Sequence, residues 1–120
     1  MPSSDPIQRL EDILENIARI EDFTAGMDLA AFRQNAQAVY AVKHALLIIS
    51  EAATKLVGVG EELCPEIPWP KVRGLGNILR HEYDRIDVAR LWFVVDGGLA
   101  PLKASVQAAP QRLRENEARR

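Results

Sequence analysis

The residues best suited to chemistry lie in and just before the segment NILRHEY, residues 77–83. If this segment is helical, with about 100° of rotation per residue, the side chains of Arg73, Asn77, Arg80 and His81 share about one third of the helix circumference. Apolar side chains occupy the opposite side. The helix would therefore present two cations, an amide and an imidazole on one face while its other face packs into a core.

These side chains fit the cleavage of RNA without a metal. Such cleavage needs a base for the 2′-hydroxyl, an acid for the leaving oxygen and positive donors for the developing phosphorane. His81 suits the first two roles because the unperturbed imidazole pKa of about 6.5 lies near working pH. Arg80 or Arg73 would bind the phosphate, since the guanidinium fork matches it, and Asn77 and Tyr83 would orient the RNA. One chain supplies one such histidine, so we expect a homodimer to bring two copies to a shared cleft.

The charge of the chain restricts where RNA could bind. The formal net charge is -2, so the global balance does not attract nucleic acid and any contact depends on a local patch. The one clear basic patch spans residues 71–90, where five cations outnumber three carboxylates. A solvated helix face is the alternative explanation of this patch.

Two glycines interrupt the helix that carries the candidate site. Gly74 and Gly76 each cost about 1 kcal/mol relative to alanine inside a helix, so another contact should offset the loss. Either they let a phosphate or a second backbone approach the polar face closely, or they allow tight packing against a neighbouring helix of the same chain.

The whole sequence predicts an all-α fold, an up-and-down bundle of four to five helices. Apolar residues recur at helical spacing from end to end, and strand patterns are nearly absent. A first helix should begin beside Pro6, capped by Asp5 or the preceding serine, and end near Phe23. Asp28 should cap a short helical turn that leads through a bend into a long helix reaching about Val57.

The long helix carries the clearest core pattern. Gly58 and Gly60 should end it in the left-handed conformation. The proline-rich segment CPEIPWP then predicts an ordered loop with Trp69 as a buried plug, and Pro70 suits the first turn of a helix over 70–83. The apolar residues of the long helix follow a 3-4-3-4-3 spacing, typical of a helix at the centre of a bundle; they are Val39, Val42, Leu46, Ile49, Ala53 and Leu56.

The C-terminal third predicts one more helix and a tail. Asp87 should cap a final helix, kinked near Gly97, Gly98 and Pro101. From about residue 110 the sequence is strongly charged. We therefore predict a helical domain at 1–109 and a frayed tail at 110–120.

Length and composition are those of one globular domain. The chain has 120 residues, of which 48% are hydrophobic and 27% charged, so disorder and fibrous repeats are not indicated. Cys64 is the single cysteine, which excludes an internal disulfide. No stretch of about 18 apolar residues occurs, so we expect a cytoplasmic protein that does not contact a membrane.

The chain resembles the HepT-like members of the HEPN superfamily, toxins that pair with minimal nucleotidyltransferase antitoxins. The likeness covers most of the chain, and the order and spacing of its parts make it specific. The parts are II-S-EAA at residues 48–53, IPW at 67–69, N-x-x-x-H-x-Y at 77–83, Ile86 with Asp87, and Leu91 with Trp92.

The resemblance implies a dimer of helical bundles in which an R-x-x-x-x-H-x-Y motif from each chain cleaves RNA with no metal or other cofactor. It also implies a type VII-like toxin–antitoxin pair, whose nucleotidyltransferase silences the toxin by adding AMP to the motif tyrosine, here Tyr83. Charge and bulk added beside His81 make such inhibition physically reasonable. One position departs from the motif, because Gly76 stands where the arginine is expected. Arg80 or Arg73 would have to bring a guanidinium into the same space.

Three functions remain open on the sequence. The first is the endoribonuclease toxin. The second is a catalytically weakened HEPN module that binds nucleotide or its nucleotidyltransferase partner without cleaving RNA, and Gly76 favours it. The third is a structural helical adaptor, in which His81 and Tyr83 would tolerate alanine. His44, in the long helix, is more typical of a helix surface or interface than of a catalyst.

Overall fold

The computed structural model describes residues 5–82 and 84–119, and within these ranges it contains helices and no strand. Four long helices build the bundle and three short ones connect them, so the predicted all-α fold is confirmed. In chain order the helices are α1 (Pro6–Thr24), α2 (Leu29–Gln34), α3 (Ala36–Lys55), α4 (Val59–Leu63), α5 (Trp69–His81), α6 (Val88–Phe93) and α7 (Leu99–Ala118), with a π-helical turn at Val94–Gly98 between the last two.

Polar side chains begin four of these helices. Asp5, Asp28, Asn35 and Asp87 each accept a hydrogen bond of 2.8 to 3.0 Å from a backbone N–H in the first turn of α1, α2, α3 and α6. The first N–H groups of a helix have no partner within it, so such caps stabilise the helix start. The capping roles predicted for the three aspartates are confirmed, and the bend between α2 and α3 lies at Asn35.

Helix α3 lies at the centre of the bundle, as its apolar spacing predicts. It packs against α1 on one side and against α5 on the other, and α1 also packs against α7. Five of its six predicted seam residues are at most 2% exposed, and Val39 is half-buried. The five are Val42, Leu46, Ile49, Ala53 and the C-cap residue Leu56. Because α3 holds α5 along its length, α3 determines where the candidate site residues lie.

Trp69 is the buried plug that the sequence predicts. It is 1% exposed and its Nε1 donates to the Cys64 carbonyl over 3.0 Å. Gly60 lies within α4 beneath the indole, where an added Cβ would come within 2.9 Å of the ring. The prediction that Gly60 takes the left-handed conformation is therefore wrong, and Gly58 alone of the two adopts it, with φ of 84°. The sequence prediction also lacks α4.

Helix α7 continues through Pro110 to Ala118, where the sequence predicts a tail. Arg112 anchors this segment, since it donates to the Leu63 carbonyl over 2.8 Å and pairs with Glu66 at 2.9 Å. The division into a domain at 1–109 and a fraying tail at 110–120 stays a prediction. In the described part of the chain, no helix is long and apolar enough to cross a membrane.

Candidate active site on helix α5

Helix α5 presents three of the predicted site residues to solvent. Asn77, Arg80 and His81 are exposed, whereas Leu79 on the opposite face is 1% exposed and packs into the core. The amphipathic arrangement read from the spacing is therefore present. Tyr83 lies outside the described residues, so its expected roles in RNA orientation and modification stay predictions.

Arg73, the fourth predicted site residue, is held in a structural network. Its Nε donates to the Ala53 carbonyl over 2.9 Å, and its two terminal nitrogens form a bidentate pair with Glu61. The guanidinium also lies 5.6 Å from the centroid of the Trp69 ring. The side chain is only 16% exposed. Its fork is thus occupied by the carboxylate that ties α4 to α5.

Glu61 is a partner of the site that the sequence did not predict. The hydrogen bond from Arg73 is the main cause that lowers the pKa of this carboxyl to about 2. Glu61 also accepts from the Gly58 backbone N–H over 3.2 Å, which closes the first turn of α4. An acidic residue in the first turn after a helix-ending glycine is the signal that could have indicated this role.

Gly76 is a point of close contact between α5 and α3. Its backbone N–H donates to Ser50 Oγ over 2.9 Å, and the Ser50 hydroxyl donates to the Arg73 carbonyl over 2.9 Å. A Cβ on Gly76 would lie 2.1 Å from Ser50 Oγ and 2.8 Å from Ser50 Cβ, which is too close for either atom. Of the two explanations open for this glycine, tight packing within the chain is the one observed. Ser50, a polar residue in an otherwise apolar run, is a second contributor that the sequence did not predict.

Gly74 differs from Gly76, because a Cβ there would meet no atom of the described residues within 4 Å outside its own stretch of helix. It lines an open groove of about 580 Å³ between α5 on one side and α6 with the π-helical turn on the other. The other lining residues are Lys71, Val72, Leu75, Ile78, Arg90, Val94 and Gly98. Residues 74, 78 and 81 are spaced by four and three, so they form one row along the helix. His81 therefore follows Ile78 in this row, beyond the residues that line the groove.

His44 lies apart from this group, on the exposed side of α3. It lines a groove of about 380 Å³ between α1 and α3, with Arg19 and Phe23 as neighbours. This position fits the surface or interface role expected for it. Among the described residues, no cluster of three or more His, Cys, Asp or Glu side chains is placed to hold a metal ion.

Comparison with known proteins assigns the chain to a family. Residues 13–109, most of the chain, match the model of the family described as ribonuclease HepT-like. The chain belongs to the HepT-like ribonuclease family. The predicted membership in the HepT-like family is thereby confirmed, and it supports a ribonuclease-type function of the HEPN superfamily.

The names of individual relatives agree with the assignment of this HepT-like protein to its family. A protein of Methanocaldococcus jannaschii named as a candidate RNase is 38% identical over 98 residues, which cover 82% of this chain and 90% of the relative. A protein of Thermococcus cleftensis named as a candidate ribonuclease HepT is 36% identical over 98 residues, covering 82% and 89%. A second candidate RNase of Methanocaldococcus jannaschii is 35% identical over 92 residues, covering 77% and 76%. No solved structure matches the chain.

Proposed function

We propose that this HepT-like protein is a metal-independent endoribonuclease toxin that acts in the cleft of a homodimer and is silenced by AMP addition to Tyr83. The observation that carries the proposal is the exposed imidazole of His81 on the same helix face as Asn77 and Arg80, in a chain whose family is that of HepT-like ribonucleases.

The proposed reaction is an internal phosphoryl transfer. One His81 imidazole takes the proton of the 2′-hydroxyl while its oxygen attacks the adjacent phosphorus. The bond from phosphorus to the 5′-oxygen breaks, and the imidazolium of the second protomer gives that oxygen a proton. The products are a 2′,3′-cyclic phosphate and a free 5′-hydroxyl, so atoms and charge balance. A guanidinium from Arg80 or Arg73 stabilises the charge on the phosphorane oxygens.

The homodimer supplies the second imidazole. Support comes from the groove beside α5, whose half-buried apolar walls are Leu75, Ile78 and Val94 and whose α5 wall leads to His81. A second copy packed across this groove buries the apolar walls and brings two His81 residues to the edge of one contact. The open space at Gly74 admits close approach of the partner helix.

The antitoxin partner is a small nucleotidyltransferase that transfers AMP from ATP to the Tyr83 hydroxyl. The phenol oxygen attacks the α-phosphate, loses its proton and releases pyrophosphate. The added group carries negative charge two residues from His81, where it competes with an RNA phosphate. Intact-mass analysis of protein co-expressed with the enzyme should show one or more added adenylates, and Tyr83→Phe should show none on this site.

Cleavage in the presence of EDTA tests the central claim. The purified dimer should cut a mixed-sequence RNA with EDTA in excess and leave 2′,3′-cyclic phosphate ends. An expressed copy should arrest growth. A folded, dimeric preparation that leaves RNA intact under these conditions contradicts the proposal.

A binding module remains the second candidate because the motif arginine is absent and position 76 has no room for it. In this case the exposed face of α5 docks a nucleotide or the nucleotidyltransferase, and no bond is broken. Replacing Gly76 by arginine alone does not distinguish the two, since the clash with Ser50 would damage the fold. The double variant Ser50→Gly with Gly76→Arg distinguishes the two candidates. If the protein is a binding module, the wild type should leave RNA intact and the double variant should cleave it.

A further inference from the structure

The two arginines that could replace the missing motif arginine differ in how their guanidinium groups are engaged. The fork of Arg73 is bound by Glu61 and its Nε by the Ala53 carbonyl. Arg80 is exposed, and the described residues give it no hydrogen bond or ion pair. A phosphate would have to displace a carboxylate from Arg73, whereas no described residue occupies the fork of Arg80.

The Arg80 side chain runs back along α5 towards Gly76. One of its terminal nitrogens, Nη1, lies 3.2 Å from the position that a Cβ on Gly76 would take. Side chains in a helix tilt towards its N-terminus, so residues four apart meet on one face. The Arg80 guanidinium therefore lies in the space through which the side chain of a motif arginine at position 76 would pass.

Ser50 keeps position 76 free of a side chain. Its hydroxyl lies in the gap between α3 and α5, where it accepts a hydrogen bond from the Gly76 N–H and donates one to the Arg73 carbonyl. Ser50 as a whole is 1% exposed. Any Cβ on residue 76 meets both the oxygen and the Cβ of Ser50. The glycine at 76 in turn leaves room at the edge of this gap for the Arg80 guanidinium, whose Nη1 lies 3.2 Å from the position of the missing Cβ.

We propose that Arg80 supplies the phosphate-binding guanidinium of this protein from one turn beyond the motif position, and that the Ser50–Gly76 contact is the packing arrangement that makes this relocation necessary. The inference rests on the proposed function and specifies which arginine of that site binds the phosphate. The ligand is an RNA phosphodiester, whose non-bridging oxygens accept from the Arg80 fork while His81, the next residue, acts on the 2′- or 5′-oxygen.

Cleavage rates of matched arginine variants form the first part of the test. Arg80→Gln removes the charge at similar length and should lower kcat/KM on a short RNA by about 10²-fold or more. Arg33→Gln, an exposed arginine on α2, should leave the rate unchanged. Arg73→Gln should lower thermal stability and, measured well below its midpoint, affect kcat/KM less than Arg80→Gln does.

The second part of the test moves the arginine from position 80 to position 76. Adding Ser50→Gly and Gly76→Arg to Arg80→Gln relieves the contact and returns a guanidinium to position 76. The triple variant should recover cleavage at least tenfold over Arg80→Gln alone. Circular dichroism and the thermal midpoint establish that each variant is folded at the assay temperature.

Binding of a 2′-O-methyl RNA, which cannot be cleaved, separates the failure of this inference from that of the ribonuclease assignment. Loss of one phosphate contact should reduce the slope of log affinity against log salt by about 0.7 in Arg80→Gln, whether or not the wild type cleaves. If Arg80→Gln keeps wild-type cleavage and salt slope while His81→Ala is inactive, the ribonuclease assignment stands and the role of Arg80 is overturned. If the wild type cleaves nothing but the slope falls, the ribonuclease assignment fails and Arg80 remains the phosphate contact.

Discussion

The backbone N–H of Gly76 donates to the hydroxyl of Ser50 over 2.9 Å, although the two residues lie 26 positions apart in the sequence. This contact fixes the distance between α3 and α5. It also explains why a glycine is tolerated inside the helix that carries His81, since a side chain there would collide with α3. The helix penalty of about 1 kcal/mol for glycine is offset by the close packing and hydrogen bonds that its missing side chain allows.

The two glycines of α5 should respond to alanine with opposite signs. Gly76→Ala should lower the free energy of unfolding by about 1–3 kcal/mol, because the overpacked Cβ displaces Ser50 and its hydrogen bonds. Gly74→Ala, two residues earlier in open space, should raise it by up to about 1 kcal/mol. Urea denaturation measures both, at a protein concentration low enough to keep the chain monomeric, because Gly74 also lines the proposed dimer groove. Gly76→Ala should also cost less in a Ser50→Gly background, and equal costs in both backgrounds would show that Ser50 is not the obstacle.

Histidine substitutions should separate the catalytic imidazole from a surface one. His81→Ala should lower RNA cleavage in EDTA by about 10²-fold or more, since general acid–base catalysis contributes this much. His44→Ala is the matched control, because His44 is also an exposed helical histidine. Both variants should keep the wild-type thermal midpoint. Wild-type cleavage by His81→Ala would remove the basis of the proposed mechanism.

A bulky side chain placed in the groove should separate the protomers. Gly74→Glu fills part of a mostly apolar groove, which Lys71 and Arg90 also line, without a clash inside one chain. We therefore expect the monomer to remain folded while the dimer dissociates, because the partner helix loses the space it would occupy. Gly97→Glu makes the same change at an exposed glycine of the π-helical turn that also has open space, and it should leave the dimer intact. Sedimentation equilibrium gives both masses. A dimeric Gly74→Glu protein would place the interface elsewhere.

Acid should weaken the contact between α4 and α5. The pKa of Glu61 is about 2 in the folded protein against an ordinary value of 4.5, so its pairing with Arg73 stabilises the fold above about pH 4.5 and is lost as the pH falls towards 2. Glu61→Gln should therefore lower the thermal midpoint at neutral pH and lose less on acidification between pH 5 and 2 than the wild type does.

Thermal unfolding across this pH range provides the measurement, with Arg73→Gln as the matched partner variant. The double variant should be more stable than the sum of the two single effects predicts, because either change alone already breaks the pair and it cannot be lost twice. If the thermal midpoints of wild type and Glu61→Gln fall in parallel as the pH is lowered, this pair is not a source of acid sensitivity.

Most of the helical framework could be predicted because its signals are local. The caps at Asp5, Asp28 and Asp87 act within the first turn of their own helices, and the buried seam of α3 follows from its periodicity alone. Helix α4 could not be predicted in this way. It is five residues long and depends on the Trp69 ring over Gly60, a contact with a residue nine positions later.

The sequence by itself determined the helical bundle, the family and the exposed face of α5, because amphipathic spacing and motif order are properties of neighbouring residues. Only the tertiary structure decided the roles of residues that look alike in the sequence. It packed Gly76 against Ser50 and engaged Arg73 with Glu61. Among the residues that the structure describes, it placed none against a Cβ at Gly74 and none on the fork of Arg80. The physical reason is that each of these outcomes depends on which atoms another helix brings within a few ångströms, and helix packing rather than local spacing sets those distances.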